Sequence, residues 1–149
     1  MNQVPEFWDS SALVPLCLQE KNSPHARKLA KQSLPVVWWA SAVEIHSTVA
    51  RLHRSGDLND AGKAAALARL AAIGRSWREI LPSDRLRDAA RNLLDAYPLR
   101  TADSLQLAAA LLWCQQKPSR RRFLCADVRL CEAAAEAGFT VVRPGVSIL

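Results

Sequence analysis

Residues 4–18 read VPEFWDSSALVPLCL, and they set the pattern for the rest of the chain. The first five residues form a short apolar run, which predicts a strand that leads into Asp9. Ser10 or Ser11 can then cap a helix that continues to Leu18. The stretch therefore predicts a strand followed at once by a helix, with an aspartate at the junction.

The alternation of strand and helix continues along the chain. The further predicted helices are 25–31, 41–54, 57–73, 83–97, 101–116 and 127–137, and the further predicted strands are 34–39, 77–81, 122–126 and 139–142. Short apolar strands that alternate with helices predict an α/β fold, in which helices cover both faces of a parallel sheet. Ligands of such sheets bind beyond the carboxyl ends of the strands.

The composition is typical of one soluble globular domain. A length of 149 residues lies within the usual range for a domain, so we predict a single domain over residues 1–149. No stretch approaches the roughly 18 uncharged apolar residues of a membrane span. Residues 1–6 lack the basic and apolar segments of a secretion signal. We therefore expect a cytoplasmic protein.

The cysteines and histidines do not suggest a soft-metal site. The cysteines show no C-x-x-C pair and no histidine at zinc-ligand spacing, and all lie in apolar segments, which indicates core packing. These residues are Cys17, Cys114, Cys125 and Cys131, with His25, His46 and His53 scattered among them.

A formal net charge of +6 favours a polyanionic partner. Basic residues concentrate at 51–54, 85–91 and 117–122. A solvated basic surface is the simpler interpretation, and composition leaves both open.

Four acidic residues, Asp9, Glu44, Asp103 and Asp127, are candidate site residues. Asp9 and Asp127 follow predicted strands, where each could instead be the N-cap of the next helix. Asp103 lies early in a helix that is apolar nearly all round and should be buried. Thr101 is the better cap there, and an unpaired buried charge costs several kcal/mol. Glu44 could be an exposed residue on a polar helix face, so only the combination points to a site.

Four short motifs occur in order: FWDSSALV at 7–14, SAVEI at 41–45, LRTADSLQLA at 99–108 and CADVRL at 125–130. In order and approximate spacing they resemble the PIN-domain ribonucleases, and among these the VapC-type toxins of bacterial toxin–antitoxin pairs. The resemblance covers essentially the whole chain. It implies a PIN-like three-layer α/β/α sandwich with a short central parallel sheet, and endonucleolytic cleavage of RNA.

The resemblance also implies the site. The catalytic and metal-binding residues are Asp9, Glu44, Asp103 and Asp127, which would hold Mg²⁺ or Mn²⁺ with support from the hydroxyl of Ser10 or Ser11. Two positions depart from the family pattern, because Gln106 stands where histidine is usual and Cys125 where threonine or serine is usual. A homodimer and a small antitoxin partner that covers the acidic pocket are further implications.

Carboxylates gathered around one pocket require a cation or protonation. Two of them about 5 Å apart repel by roughly 3 kcal/mol at an effective dielectric of about 20. Mg²⁺ prefers oxygen ligands and retains waters, which suits an open site for a phosphate. Basic residues must offset the repulsion of the RNA backbone, and single-stranded loops are the favoured substrate. The candidates for RNA contact are Arg51, Arg54, Arg100, Arg120, Arg121 and Arg122.

Two other functions compete with this interpretation. Haloacid-dehalogenase and receiver-like phosphotransfer domains also have an aspartate after the first strand, but the former expects a second aspartate where this chain has Ser11. A non-catalytic PIN-like module that binds RNA or protein is the other alternative. Trp38 and Trp39, with the helices around Leu52 and Leu67, offer apolar surface for a partner, although both tryptophans could instead complete the core.

Overall fold

The computed structural model describes residues 3–146. Within this range lie five strands and seven helices, each of which the sequence pattern predicts. In chain order they are β1 (Val4–Trp8), α1 (Ser10–Cys17), α2 (Ser23–Lys31), β2 (Ser33–Trp38), α3 (Ser41–Arg54), α4 (Asp60–Gly74), β3 (Arg78–Ile80), α5 (Asp84–Ala96), α6 (Thr101–Trp113), β4 (Arg122–Leu124), α7 (Val128–Ala137) and β5 (Thr140–Val142).

The strands form one sheet in the order β3-β2-β1-β4-β5, and every neighbouring pair is parallel. The central strand β1 aligns Phe7 with Val36 of β2 on one side and with Phe123 of β4 on the other. The predicted parallel sheet is confirmed. Because all five strands run the same way, their carboxyl ends share one edge.

Side chains alternate between the two faces of the sheet. Phe7 and Phe123 belong to a core that includes buried residues of α5, α6 and α7. Their neighbours Trp8 and Leu124 belong to a second core, with residues of α1, α3 and α4. Helices therefore cover both faces, and the expected three-layer α/β/α sandwich with a short central parallel sheet is the observed fold.

The predicted caps Ser10 or Ser11 of α1 and Thr101 of α6 are wrong, whereas the alternative of Asp9 as the N-cap of α1 is confirmed. Asp9, rather than a serine, is the N-cap of α1, and its carboxylate accepts from the backbone N–H of Ser11. Helix α6 begins at Thr101 after the N-cap Arg100, so Thr101 does not cap it. An aspartate carboxylate directly before the first turn can accept from its free N–H groups, which explains why it is preferred at α1.

Several other expectations are settled by burial. All four cysteines are buried and unpaired, as core packing predicts. Trp38 completes the core, as one interpretation predicts. Trp39 is 51% exposed, as the interpretation of an apolar surface for a partner predicts. Within residues 3–146, no helix is both long and apolar enough to cross a bilayer.

Candidate active site

Four acidic residues come to the carboxyl edge of the sheet from four different segments. Asp9 directly follows β1 and Asp127 follows β4, while Glu44 and Asp103 lie in the first turns of α3 and α6. Asp9 is affected by the charges of Glu44 and Asp103, and Asp103 by that of Asp127. We call Asp9, Glu44, Asp103 and Asp127 the acidic cluster.

Asp9 is the most deeply buried member, at 3% exposed. Burial raises the pKa of its carboxyl to about 7, and the charges of Glu44 and Asp103 act in the same direction. Two hydrogen bonds from Ser11 oppose this shift: its backbone N–H donates to Asp9 Oδ2 at 3.1 Å, and its hydroxyl donates to the same oxygen. Asp9 therefore caps α1 and is also a buried carboxyl group whose ionised form is disfavoured by its surroundings.

Ser11 also contacts the segment that follows β4. Its hydroxyl accepts from the backbone N–H of Ala126 at 2.8 Å, which ties the end of β4 to the start of α1. The thiol of Cys125 lies 3.8 Å from Asp9 Oδ2. A hydrogen bond with Cys131, burial and the charge of Asp9 raise the pKa of Cys125, so a neutral thiol stands beside this carboxylate.

Glu44 is half-buried, so the exposed polar face suggested as an alternative is not observed. Ser10 Oγ donates to Glu44 Oε2 at 2.9 Å, and Gln106 Nε2 donates to Oε1 at 3.1 Å. Burial raises the pKa of Glu44, these two hydrogen bonds lower it, and the charge of Asp103 raises it. Both predicted supporting serines therefore bond to a member of the acidic cluster.

The remaining two acids are more open to solvent. Burial and then the charge of Asp127 raise the pKa of Asp103, while a backbone hydrogen bond from Arg100 and the charges of Arg100 and Arg129 lower it. Asp127 is exposed, and its Oδ1 accepts from the backbone N–H of Leu130 at 2.9 Å. It caps α7, as its alternative interpretation predicts.

The chemistry of the acidic cluster fits a hard divalent cation. Its donors are carboxylate oxygens, and burial together with mutual repulsion raises the pKa of Asp9, Glu44 and Asp103, a cost that a cation would reverse. As placed, no three acidic, histidine or cysteine side chains among residues 3–146 form a group that could hold a metal ion, so the acidic side chains would have to rearrange to bind one.

The predicted RNA-binding arginines are dispersed. Arg100 lies beside Asp103, but Arg51 and Arg54 lie in the last turn of α3, with Arg54 about 15 Å along the helix from Glu44. Their expected placement beside the pocket is not observed, although RNA contact by these residues stays a prediction.

The basic residues 120–122, at the start of β4, make contacts away from the acidic cluster. Arg122 begins β4, at the amino edge of the sheet, and pairs with the buried Glu6 at 2.9 Å. Arg121 lies over the ring of Trp113 at 5.2 Å, and Arg120 occupies the preceding turn with φ 65°. The structure does not bring these three residues to the acidic cluster.

Sequence reasoning did not select Arg129, whose charge acts on Asp103. It lies in the first turn of α7, two residues after Asp127. That position next to a site residue, at the start of a predicted helix, is the signal that could have identified it.

No protein-family model matches the chain, and a comparison with curated proteins finds no match. Solved structures do match. A toxin–antitoxin complex from Klebsiella pneumoniae contains a chain with a TM-score of 0.65 at 15% identity, over 93% of this chain and 97% of that chain. A crystal structure from Pyrobaculum aerophilum has a TM-score of 0.66 at 15% identity, over 93% and 89% of the two chains. At these identities the likeness shows a shared fold.

Proposed function

We propose that this chain is a metal-dependent endoribonuclease that hydrolyses RNA phosphodiester bonds at the acidic cluster, and that it acts as the toxin of a toxin–antitoxin pair. The observation that carries the proposal is the convergence of Asp9, Glu44, Asp103 and Asp127 from four segments at the carboxyl edge of the sheet. The four sequence motifs that resemble PIN-domain ribonucleases of the VapC type contain these same residues.

The energetics of Asp9 support a cation site. A buried carboxylate with a raised pKa and two acidic neighbours destabilises the fold when ionised. Such an arrangement is advantageous if the charge is used in binding an ion. Asp9 and Asp103 are our choice as direct ligands of Mg²⁺ or Mn²⁺, with Glu44 and Asp127 acting directly or through water. A bound ion would neutralise phosphate charge and lower the pKa of a water molecule.

The surrounding side chains hold these acids in place. Ser11 fixes Asp9 through two donors, and Ser10 fixes one oxygen of Glu44. Arg100 and Arg129, near Asp103, are suited to bind the phosphates that flank the cleaved bond. Single-stranded RNA is the proposed substrate, because its backbone can bend into an edge formed by loops and helix starts.

An antitoxin partner and a homodimer are part of the proposal. The solved structure from Klebsiella pneumoniae is described as a toxin–antitoxin complex and shares this fold. Trp39 and Val43 are 51% and 69% exposed and lie five positions and one position before Glu44 in the chain, so a protein that covers them would also obstruct the acidic cluster. Co-expression with the product of the neighbouring gene should give a complex that masks Trp39, and light scattering should show two copies of this chain.

Cleavage of a mixed RNA pool tests the nuclease directly. We expect cutting with Mg²⁺ or Mn²⁺ that EDTA abolishes and that Asp9→Asn and Asp103→Asn each lose. The matched control is Asp88→Asn, because Asp88 is an exposed aspartate on α5 and its substitution should leave cutting unchanged. Cutting by the Asp9 and Asp103 variants at the parental rate would refute the catalytic assignment.

A non-catalytic module that binds RNA or protein is the second candidate. It is consistent with the finding that, among residues 3–146, no three acidic, histidine or cysteine side chains are placed so that they could hold a metal ion. This candidate predicts RNA or partner binding that EDTA does not change and no RNA cleavage under any metal condition.

A further inference from the structure

Gln106 is a polar residue in the interior of α6. It is fully buried, and the residues that follow it, Leu107 and Ala108, are fully buried as well. Asp103 lies three positions earlier, which places the two side chains on neighbouring parts of the same helix face. Because an unbonded buried amide costs free energy, the contacts of Gln106 indicate why it is there.

The amide nitrogen of Gln106 joins α6 to the first turn of α3. Its Nε2 donates to Ser41 Oγ at 3.0 Å and to Glu44 Oε1 at 3.1 Å. The other carboxylate oxygen of Glu44 accepts from Ser10 Oγ at 2.9 Å. Glu44 is therefore held at both oxygens, by one donor from α6 and one from the start of α1.

The amide oxygen of Gln106 makes no comparable hydrogen bond. Gln106 Oε1 is buried and has no hydrogen-bond partner in the described part of the chain. A methionine or leucine would fill similar volume without leaving a buried oxygen unbonded, so packing alone favours an apolar residue. The two N–H donors toward Ser41 and Glu44 are what an apolar residue could not supply.

We propose that Gln106 is a positioning residue, which orients the Glu44 carboxylate for the divalent ion and for the RNA phosphate. The proposal rests on the proposed function and deepens it, because it assigns a residue that acts through Glu44 without touching ion or substrate. Residues that orient metal ligands in this way commonly change metal affinity by about 10- to 100-fold when substituted.

The first test compares the full chain with Gln106→Met, which keeps the volume and removes the donor. Mn²⁺ binding to the RNA-free protein is measured by the electron paramagnetic resonance of free Mn²⁺, together with Tm, kcat and KM. We expect about tenfold weaker Mn²⁺ binding and a lower kcat, with a smaller change in KM. Tm should stay within about 5 °C of the parent, because two lost hydrogen bonds are offset by removal of the unbonded oxygen.

Two further variants separate positioning from packing. Gln32→Met, at an exposed glutamine at the end of α2, is the matched control and should bind Mn²⁺ as the parent does. In a Glu44→Gln background, Gln106→Met should cause no further loss of Mn²⁺ affinity, because its effect passes through Glu44.

Parental Mn²⁺ affinity in Gln106→Met, or an independent loss of affinity in the Glu44→Gln background, would overturn the positioning role while leaving the nuclease intact. A lower Tm with unchanged Mn²⁺ affinity would show that the amide only joins two helices, and would also overturn it. A parent that binds no Mn²⁺ and cuts no RNA would instead refute the proposed function, and the positioning role with it.

Discussion

Ser11 Oγ accepts a hydrogen bond from the backbone N–H of Ala126 at a distance of 2.8 Å. The same hydroxyl donates to Asp9 Oδ2, so one small side chain connects the ends of two adjacent strands at the acidic cluster. This side-chain link adds to the backbone hydrogen bond that Asp9 N–H donates to the carbonyl oxygen of Leu124, the last residue of β4, at 2.8 Å.

Ser11→Ala should lower the free energy of unfolding by about 1 to 2 kcal/mol, because it leaves the Ala126 N–H without its acceptor. RNA cleavage should fall as well, since Asp9 loses a donor. Urea unfolding measures the first effect. Ser11→Thr keeps the hydroxyl and should retain most of the parental stability and RNA cleavage. Ser47→Ala, at an exposed serine of α3, should change neither stability nor cleavage. Parental stability of Ser11→Ala would contradict the assigned role.

The metal-free protein should lose stability as pH rises from about 4 to about 7. The folded-state pKa of Asp9 is about 7, against 3.8 for an ordinary aspartate, so the folded state binds more protons in this window and unfolding becomes easier as they leave. The effect of Asp9 alone amounts to about 4 kcal/mol at most, and the raised pKa values of Glu44 and Asp103 act in the same direction.

Urea unfolding in EDTA at pH 5 and pH 8 measures this dependence. Asp9→Asn should flatten it, because the amide does not ionise. Asp88→Asn, on the exposed face of α5, should keep it. A parent that is as stable at pH 8 as at pH 5 would show that Asp9 is not destabilised by burial.

Millimolar Mn²⁺ should raise the Tm of the parent at pH 8, which lies above the pKa of about 7 of Asp9. A ligand at 100 times its Kd stabilises a protein by about 2.7 kcal/mol, which corresponds to several degrees in a chain of this size. Asp9→Asn and Asp103→Asn should each lose the increase. A Tm that Mn²⁺ leaves unchanged in the parent would argue for the non-catalytic alternative.

Arg129→Gln should weaken RNA binding and reduce the slope of log affinity against log salt concentration by about 1, as the loss of one phosphate contact predicts. An Asp103→Asn background prevents cleavage during the titration. Arg91→Gln, at an exposed arginine of α5, is the control. An unchanged salt slope for Arg129→Gln would remove this residue from the RNA-binding surface.

Arg122→Gln should lower stability rather than RNA affinity. It leaves the buried Glu6 without its cation, so the free energy of unfolding should fall by on the order of 2 kcal/mol. This loss is smaller than for a fully buried ion pair, because Arg122 is partly exposed. RNA affinity should change little. A large loss of RNA affinity with parental stability would restore Arg122 to the RNA-binding set.

Much of the fold follows from short-range patterns in the sequence. Each predicted strand and helix is present, because strand and helix periods and the flanking polar residues act over a few neighbours. Ends are less predictable. Helix α6 stops at Trp113 rather than at 116, and Gln115 and Gln116 have φ of 54° and 62°, which a helix does not accommodate.

The candidate site was predictable to a smaller extent. Asp9 and Asp127 follow strands, and parallel strands place such residues on one edge. Asp103 could be selected because its helix is apolar nearly all round and an unpaired buried charge is costly, whereas Glu44 could be selected only through the resemblance to a family. Hydrogen bonds such as Ser11 to Ala126 and Gln106 to Glu44 join residues 115 and 62 positions apart, and no local pattern encodes them.

The amino-acid sequence by itself therefore determined the order of elements and the parallel sheet and gave four acidic residues as site candidates, since all depend on local periodicity or on short motifs. The tertiary structure alone decided which cations adjoin those acids: it placed Arg129 near Asp103 and turned Arg122 toward Glu6. The reason is physical. Strand order and helix packing set the distances between residues far apart in the chain, and electrostatic interactions depend on those distances rather than on position in the sequence.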